Sequence, residues 1–333
     1  MPRRPTTTRS PRSSARTRSS RTPAVTSATA TRSPAPVHPG AGRRAPLRDL
    51  LRSVPLLPAV VLLVVFLLGP ILYAIWGSLT NRALTGYRAA KPEFVGFDNY
   101  ISLFTDPNFW TALVLTVVFV LFSAIIGQNV LGLGVAALMR IGSKSVNSVV
   151  GALVVVAWVM PEIVAAFALY AYFSKDGTLN ALLEGIGIPA VSWLIEYPMF
   201  AVILANVWRG TAFSMLVYGA ALNEVPPEVM EAAQIDGANA AQRFFLITIP
   251  MIRRSISTNL MLTTLQTLGT FGLIWVMTKG GPGVSSSTLP VLAYQEAFQY
   301  SQIGYGTAIA AVTLVLGAIF AIFYIRILKP EVD

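Results

Sequence analysis

Long runs of apolar residues alternate with short polar segments along most of the chain. A hydrocarbon core about 30 Å thick requires about 20 apolar residues per helix. The runs that reach this length lie at 54–79, 111–139, 149–173, 199–222, 256–277 and 304–327. The first run is longer than the apolar part of a signal peptide and precedes no A-x-A-like cleavage site, so we expect it to remain in the mature chain. The pattern predicts an all-α integral membrane protein with six transmembrane helices.

The composition agrees with this prediction. Of 333 residues, 54% are hydrophobic and 12% are charged, whereas soluble domains carry about 25% charged residues. Cysteine is absent and the single histidine is His38. These counts exclude a disulfide framework, a thiol nucleophile and a cysteine or histidine metal cluster, so no metal site is expected.

The first 48 residues differ from the rest. They contain eleven arginines and no acidic residue, whereas the remainder contains fourteen Lys and Arg against fifteen Asp and Glu. A segment of Ser, Thr, Pro, Arg and Ala buries too little apolar surface to offset its ordering entropy. We therefore predict a disordered basic tail at 1–48 and a membrane domain at 49–333. Binding to anionic lipid is an alternative role; nucleic-acid binding is disfavoured because the tail has no aromatic residues for base stacking.

Orientation follows from the basic residues of the loops, which are enriched on the cytoplasmic side. With the N-terminus inside, nineteen Lys and Arg lie inside and five outside. Without the tail the numbers are seven and five. The distribution predicts that both termini, and the loop at 223–254, are cytoplasmic.

The loop at 223–250, NEVPPEVMEAAQIDGANAAQRFFLITIP, is acidic and rich in alanine. Pro226 and Pro227 favour a helix start, and Gly237 favours a helix stop. A second short helix is expected at 238–247, ended by Pro250. The loop therefore predicts two short helices across the cytoplasmic face.

The string E-A-A-x-x-D-G-A at 231–238, followed by an I-x-x-P-like ending, resembles the EAA signature of binding-protein-dependent ABC importer permeases. The resemblance implies the type I importer permease fold, in which this loop seats in a cleft of an ATPase subunit. An amphipathic helix lying on the bilayer is the alternative, although such helices are usually basic. The residues to which the resemblance assigns ATPase coupling are Glu231, Ala232, Ala233, Asp236, Gly237 and Pro250.

Two further stretches resemble external loops of the carbohydrate subgroup, FVGFDNYISLFTDPNFWTAL at 94–113 and TKGGPGVSSSTLPVLAYQEAF at 278–298. The likeness covers about 55–328 and is greatest to maltose, trehalose and glycerol-phosphate permeases. It implies a bacterial cell membrane location, a cytoplasmic ATPase dimer, a second homologous permease and an external solute-binding protein. The chain has no G-x-x-x-x-G-K-[ST] loop. We expect no cofactor in this chain, with ATP and Mg bound by the partner ATPase.

Polar residues within membrane spans are functional candidates. Two stripes at helical spacing lie in the fourth and fifth runs: Asn206, Arg209, Gly210, Phe213, and Thr263, Gln266, Thr267, Thr270. Phe213 or Trp208 could stack on a sugar ring. In the maltose-type permeases these two segments contact sugar. The resemblance therefore implies sugar contact for all the stripe residues except Gln266. Those permeases have asparagines where this chain has threonines and an apolar residue at position 209, so a different solute or a site mainly in the partner subunit remains open.

Alternative interpretations exist for these residues. Threonine in a membrane helix often bonds to its own helix, and Gly210 could serve close helix approach. Glu162 is the other charge within a span, and pairing with Arg209 would lower the desolvation cost of both. Glu162 would then be structural, or would gate or contact the solute. Pro161 predicts a kink beside it.

The sequence therefore predicts the transmembrane subunit of a carbohydrate importer, with a disaccharide such as trehalose or maltose as solute. Glycerol 3-phosphate is the alternative, since Arg209 could bind phosphate. A membrane enzyme is disfavoured because no reactive constellation is present. A channel or carrier that works without an ATPase is the remaining rival.

Overall fold

The structure is a computed structural model that describes residues 56–328. The predicted tail at 1–48, with His38, lies outside the described residues. Within 56–328 the chain is mainly helical and contains one isolated β-bridge, between Thr80 and Phe94, and no strand. The helices of this part are α1 Leu57–Ser78, α2 Tyr87–Ala90, α3 Asp98–Thr105, α4 Pro107–Ile141, α5 Lys144–Val159, α6 Glu162–Phe173, α7 Thr178–Glu184, α8 Trp193–Glu196, α9 Pro198–Asn223, α10 Pro227–Ile235, α11 240–251, α12 Arg253–Leu268, α13 Gly272–Met277, α14 289–299 and α15 Ile303–Leu328.

Among the described residues, four helices are long and apolar enough to cross a membrane, namely α1, α4, α9 and α15. They correspond to the first, second, fourth and sixth predicted segments. Helix α5 and the following helical stretch Glu162–Glu184 form a bent pair that would supply a fifth span. Four or five such spans are therefore present within 56–328, whereas the six-span count and the positions of the termini stay predictions.

Two of the predicted segments are interrupted. The third is interrupted at Pro161, where the chain bends by 108° between α5 and the helical stretch Glu162–Glu184. Proline lacks an amide hydrogen and disfavours helical backbone at the residue before it; accordingly, Met160 has ψ 128°. The fifth is divided between α12, which has 16 residues, and α13, which begins at Gly272. At 1.5 Å per residue, α12 is about 24 Å long and shorter than a bilayer core.

Helices α4 and α9 pack against each other along much of their length. A Cβ atom at Gly132 of α4 would lie 2.4 Å from the Cβ of Ser214 on α9. Small residues at such contacts let two membrane helices approach closely. Helix α12 packs on the same pair, which places the polar faces of three helices against one another.

Candidate functional site

A polar cavity of about 280 Å³ lies between α4, α6, α9, α12 and the break after α12. Seven of its lining residues are predicted pathway residues: Glu162, Asn206, Arg209, Gly210, Gln266, Thr267 and Thr270. The others are Gln128 and Gly269. The structure therefore brings together residues from four separate predicted spans, while their role in transport stays a prediction.

Two predicted pathway residues do not line this cavity. Phe213 packs against Trp158, with ring centroids 6.2 Å apart. Thr263 is buried and donates to the carbonyl of Asn259 in its own helix. Trp208, the other stacking candidate, lines an apolar pocket between α5 and α9. Among the described residues, those that line the polar cavity include no aromatic ring, so the expected stacking contact is absent from this wall.

Asn206 joins three helices through hydrogen bonds. Its side-chain amide donates to Ser123 Oγ on α4 at 2.9 Å and to Thr267 Oγ1 on α12 at 3.2 Å. Gln128 Nε2 donates to the backbone carbonyl of Asn206 at 3.1 Å. Because water is scarce at membrane depth, buried polar groups must find partners within the protein. These bonds hold the polar wall of the cavity in place.

Gly210 supplies space for Gln128. A Cβ atom at position 210 would lie 2.2 Å from Gln128 Cδ. We expect Gly210→Ala to displace Gln128 from its bond to the Asn206 carbonyl, to destabilise the protein by about 1 kcal/mol and to lower solute uptake. Gly219→Ala is the control, because a Cβ atom there meets nothing within 4 Å. Thermal unfolding and uptake measure both variants; equal behaviour would contradict this packing role.

Glu162 and Arg209 form an ion pair at one wall of the cavity. Arg209 Nη1 lies 3.5 Å from Glu162 Oε2, and each side chain is about one-third exposed. The other carboxylate oxygen, Oε1, accepts a hydrogen bond from the Leu273 amide at 2.9 Å. Glu162 begins α6 just after the bend, and Leu273 follows the break after α12. The carboxylate therefore ties the two interrupted segments together.

A second buried network lies further along α9 and α12, towards the loop of α10 and α11. Asn259 Nδ2 donates to Asn129 Oδ1 at 2.7 Å and to Ser214 Oγ at 2.9 Å. The hydroxyl of Tyr218 also donates to Asn129 Oδ1. Asn129 Nδ2 in turn donates to Thr263 Oγ1 at 3.3 Å. This network joins α4, α9 and α12 beyond the cavity.

Three polar residues of α4 were not predicted for the site. Ser123 and Gln128 lie in a π-helical stretch, Val120–Gln128, and Asn129 follows it. A π-helical stretch turns side chains away from the 3.6-residue repeat, so spacing arguments miss them. The available signal was their polarity within an otherwise apolar segment, since polar residues in a span are functional candidates.

A larger pocket of about 520 Å³ lies beside the loops that follow α6 and α13. Tyr170, Trp193, Lys175 and Lys279 are among its lining residues. No predicted pathway residue lines it, and its walls are mainly apolar. We therefore place the candidate solute site in the smaller cavity, where polar groups from several helices converge.

Helix α10 carries the EAA signature. It begins at Pro227, and Glu228 lies in its first turn, where the positive end of the helix dipole favours an acid. Ala233 is buried against the protein. The signature residues that are exposed are Glu231, Ala232, Asp236, Gly237 and Pro250.

Gly237 ends this helix as predicted. Its φ is +84°, a left-handed conformation that glycine adopts without steric cost. The amide of Gly237 donates to the Gln234 carbonyl at 3.1 Å, and the amide of Ala238 donates to the Ala233 carbonyl at 2.9 Å. These two bonds form a Schellman motif, which sets the direction of the chain into α11.

Helix α11 contains a π-helical turn, Arg243–Thr248. Arg243 Nη1 donates to Gln234 Oε1 at 2.8 Å, which links α11 to α10. The prediction that Pro250 ends this helix is wrong, because the helix continues through Ile249–Met251. The helix ends one residue after Pro250, at Met251, and Ile252 leaves the helical conformation with ψ 9°.

Glu296 of α14 is partly buried near Asp106, the N-cap residue of α4. Burial raises the pKa of Glu296, and the negative charge of Asp106 raises this pKa further. A raised pKa means that folding disfavours the ionised carboxylate. The stability associated with protonated Glu296 is therefore fully present below the unfolded-state pKa and is lost as pH rises through the folded-state pKa.

We expect Glu296→Gln to raise the unfolding temperature at pH 7, because the variant has no carboxylate to ionise. Below the ordinary glutamate pKa of 4.5 the variant and the parent protein should differ little. Glu184→Gln is the control, since Glu184 is exposed at the end of α7. Thermal unfolding of the purified protein at both pH values measures the effect, and an equal shift at both would contradict this assignment.

Interrupted helices around a polar cavity, with a helical loop beyond one end of the bundle, define a multi-pass membrane transport component. The family described as binding-protein-dependent transport system inner membrane component matches residues 128–333. The chain belongs to this family. It is therefore a multi-pass inner-membrane protein and a transporter permease, which is not itself an enzyme.

Two characterised relatives align over most of their length. The chain is 32% identical over 289 residues to the sulfoquinovosyl glycerol transport system permease protein SmoG of Agrobacterium fabrum, covering 86% of this chain and 92% of the relative. It is also 32% identical over 275 residues to the trehalose/maltose transport system permease protein MalF of Thermococcus litoralis, covering 82% and 91%.

The fold is similar to that of a chain in a crystal structure of a bacterial ABC transporter involved in the import of the acidic polysaccharide alginate. The TM-score is 0.73 at 23% sequence identity, and the match covers 86% of this chain and 98% of the other. At this identity the likeness concerns the fold alone.

Proposed function

We propose that this chain is the transmembrane subunit of an ABC transporter that imports a carbohydrate, and that it forms half of the translocation pathway. The polar cavity carries this proposal, since its amide, hydroxyl, guanidinium and carboxylate groups can exchange hydrogen bonds with sugar hydroxyls. The names of the two relatives support a solute of this class. A disaccharide such as trehalose or maltose is the proposed solute, with glycerol 3-phosphate as the alternative.

The two helix interruptions support a pathway at this cavity. Gly269 and Thr270 of the second break line it, and Glu162 follows the first. Non-helical backbone at membrane depth is tolerated only where protein buries it or where it lines a water-filled cavity. We propose that the segments on either side of each break shift relative to one another and expose the cavity to the two sides in turn.

The loop of α10 and α11 is proposed to contact a separate ATPase dimer, which binds ATP and Mg. Ile235, Phe245 and Leu246 of this loop are 86%, 65% and 70% exposed, beside the exposed acids of α10. Large exposed apolar side chains clustered on one surface are typical of a protein contact. A second homologous permease and an external solute-binding protein complete the proposed importer.

Sided labelling tests the position of this loop. The chain has no cysteine, so single cysteines at Ala232 and Lys175 introduce unique labels without removing any native one. We expect a membrane-impermeant reagent to label position 175 in intact cells, and position 232 only after the membrane is opened. Labelling of position 232 in intact cells would contradict the proposed cytoplasmic loop.

Uptake tests the function itself. Deletion of the gene should abolish import of one carbohydrate, which a plasmid copy of the chain should restore. The complex purified through this chain should contain the ATPase subunit and hydrolyse ATP. Import of that solute by this chain alone in vesicles, without an ATPase, would instead favour a carrier.

A further inference from the structure

Resting on the proposed function, we infer that the cavity takes an uncharged polyhydroxylated solute and that Glu162 is the residue that excludes anionic ones. The placement of the two charged residues of the cavity accounts for this selection by charge.

Arg209 by itself would be a receptor for an anion. Its guanidinium has five N–H donors in a planar fork suited to phosphate, sulfonate or carboxylate. In this cavity, however, Nη1 already lies 3.5 Å from the Glu162 carboxylate. An anionic solute would therefore have to compete with a negative charge that belongs to the protein.

Glu162 is held in this position from a second direction. Its Oε1 accepts the Leu273 amide at 2.9 Å, and a Cβ atom at Gly272 would lie only 3.0 Å from the same oxygen. The absence of a side chain at Gly272 lets the carboxylate approach the backbone. Among the described residues, Arg209 is the one basic residue that lines the cavity. An anion that displaced Glu162 from Arg209 would therefore leave the carboxylate without another cation in the described wall.

Apart from two glycines, the rest of the described lining is polar and uncharged. Asn206, Gln266, Thr267 and Thr270 join Gln128 in this group. Amides and hydroxyls both donate and accept hydrogen bonds, as sugar hydroxyls do. Together with the ion pair, the described wall has no net formal charge and offers both kinds of group to a neutral polyol.

Arg209 keeps donors for such a solute. Its side chain is 31% exposed, so part of the guanidinium group can be reached by a solute. The ion pair engages a single guanidinium nitrogen at 3.5 Å, which leaves the bidentate geometry of a tight pair unused. A hydroxyl can therefore accept from the guanidinium and donate to the carboxylate without breaking the pair. An anion can accept from Arg209 only while lying close to Glu162, and the two negative charges repel each other.

The first measurement is the charge of the imported solute. Cells that contain the complete importer receive a panel of neutral carbohydrates, including trehalose and maltose, and of anionic ones, including sulfoquinovosyl glycerol and glycerol 3-phosphate. Import of a neutral member is expected. Import of an anionic carbohydrate would overturn this inference but would still agree with a carbohydrate importer. Import of glycerol 3-phosphate would overturn the inference and would also show that the solute is not the proposed disaccharide. Import of no member would overturn the proposed function together with the inference.

The second measurement assigns the selection to Glu162. The assembled importer in nanodiscs, without the binding protein, is titrated with the imported sugar and with the anions, and its unfolding temperature is followed. Glu162→Gln is expected to raise affinity for the anions at least about tenfold and to change affinity for the neutral sugar less. Glu184→Gln, at an exposed position outside the cavity, should change neither.

An unchanged preference in a folded Glu162→Gln importer would overturn the role of Glu162. Should this variant fail to assemble, Arg209→Gln and the double variant Glu162→Gln/Arg209→Gln take its place. The single Arg209 variant should reject anions even more strongly than the parent, and removal of both charges should bring anion affinity back up. Equal anion affinity in these two variants would equally overturn the assignment.

Discussion

Replacing Gly237 with valine is expected to reduce coupled uptake at least about tenfold while the protein still enters the membrane. Gly237 has φ +84°, and a β-branched residue in a left-handed conformation is strained by about 1–3 kcal/mol. Relief of this strain redirects the chain between α10 and α11, because the Schellman bonds depend on the conformation of Gly237. A free-energy cost of about 1.4 kcal/mol corresponds to a tenfold change in an equilibrium. Strain of about this magnitude is therefore enough to disturb contact with the ATPase.

The matched control is Gly187→Val. Gly187 has φ +83°, and a Cβ atom at either glycine meets nothing within 4 Å, so the two substitutions cause similar strain at different places. Uptake, membrane content and copurified ATPase are measured for both variants. Gly187→Val should retain most uptake. Normal transport by Gly237→Val, or equal losses in the two variants, would contradict the coupling role.

Replacing Asn206 with leucine is expected to lower the apparent affinity for the imported solute by about tenfold or more. The substitution removes a polar group from the cavity wall and leaves the hydroxyls of Ser123 and Thr267 without their donor. Hydrogen bonds between membrane helices contribute about 0.6 kcal/mol each on average, so the stability loss should be only about 1 kcal/mol. The solute concentration at half-maximal uptake and the unfolding temperature measure the two effects separately.

Asn259→Leu separates the site from the scaffold. Asn259 is fully buried and also donates two hydrogen bonds to neighbouring helices, through Asn129 and Ser214, but it does not line the cavity. A similar loss of stability with an almost unchanged half-maximal concentration is expected. If both variants weaken solute affinity equally, the cavity is not the place where Asn206 acts.

Hydrophobic runs predicted α1, α4, α9 and α15 well, because burial in lipid requires a continuous apolar helix and composition records it directly. The bend before Glu162 was also predictable, since Pro161 disfavours helical continuation. The break between α12 and α13 was not predicted. Gly269 directly follows the last residue of α12, but a glycine within an apolar run is also tolerated inside a helix, so it did not by itself predict a break.

The candidate site was predicted in part. Asn206, Arg209, Gln266, Thr267 and Thr270 were found because helical spacing places them on common faces of two segments. Phe213 and Thr263 belong to the same stripes but do not line the cavity, because spacing gives a face but not the depth at which that face meets a cavity. Gln128 was not predicted, because spacing was considered only in the fourth and fifth runs; it lies in a π-helical stretch of α4, where side chains depart from the 3.6-residue repeat.

The sequence by itself determined the class of this protein, the identity of its apolar segments and the acidic loop whose motif marks the family. These properties depend on local composition and on residues that are close along the chain. The tertiary structure alone decided that Glu162 meets both Arg209 and the Leu273 amide, and that Asn206 joins α4 to α12. Such contacts connect residues that are far apart in sequence. They depend on where the two interrupted helices end and on how closely glycines let neighbouring helices approach. No local sequence pattern encodes these two properties.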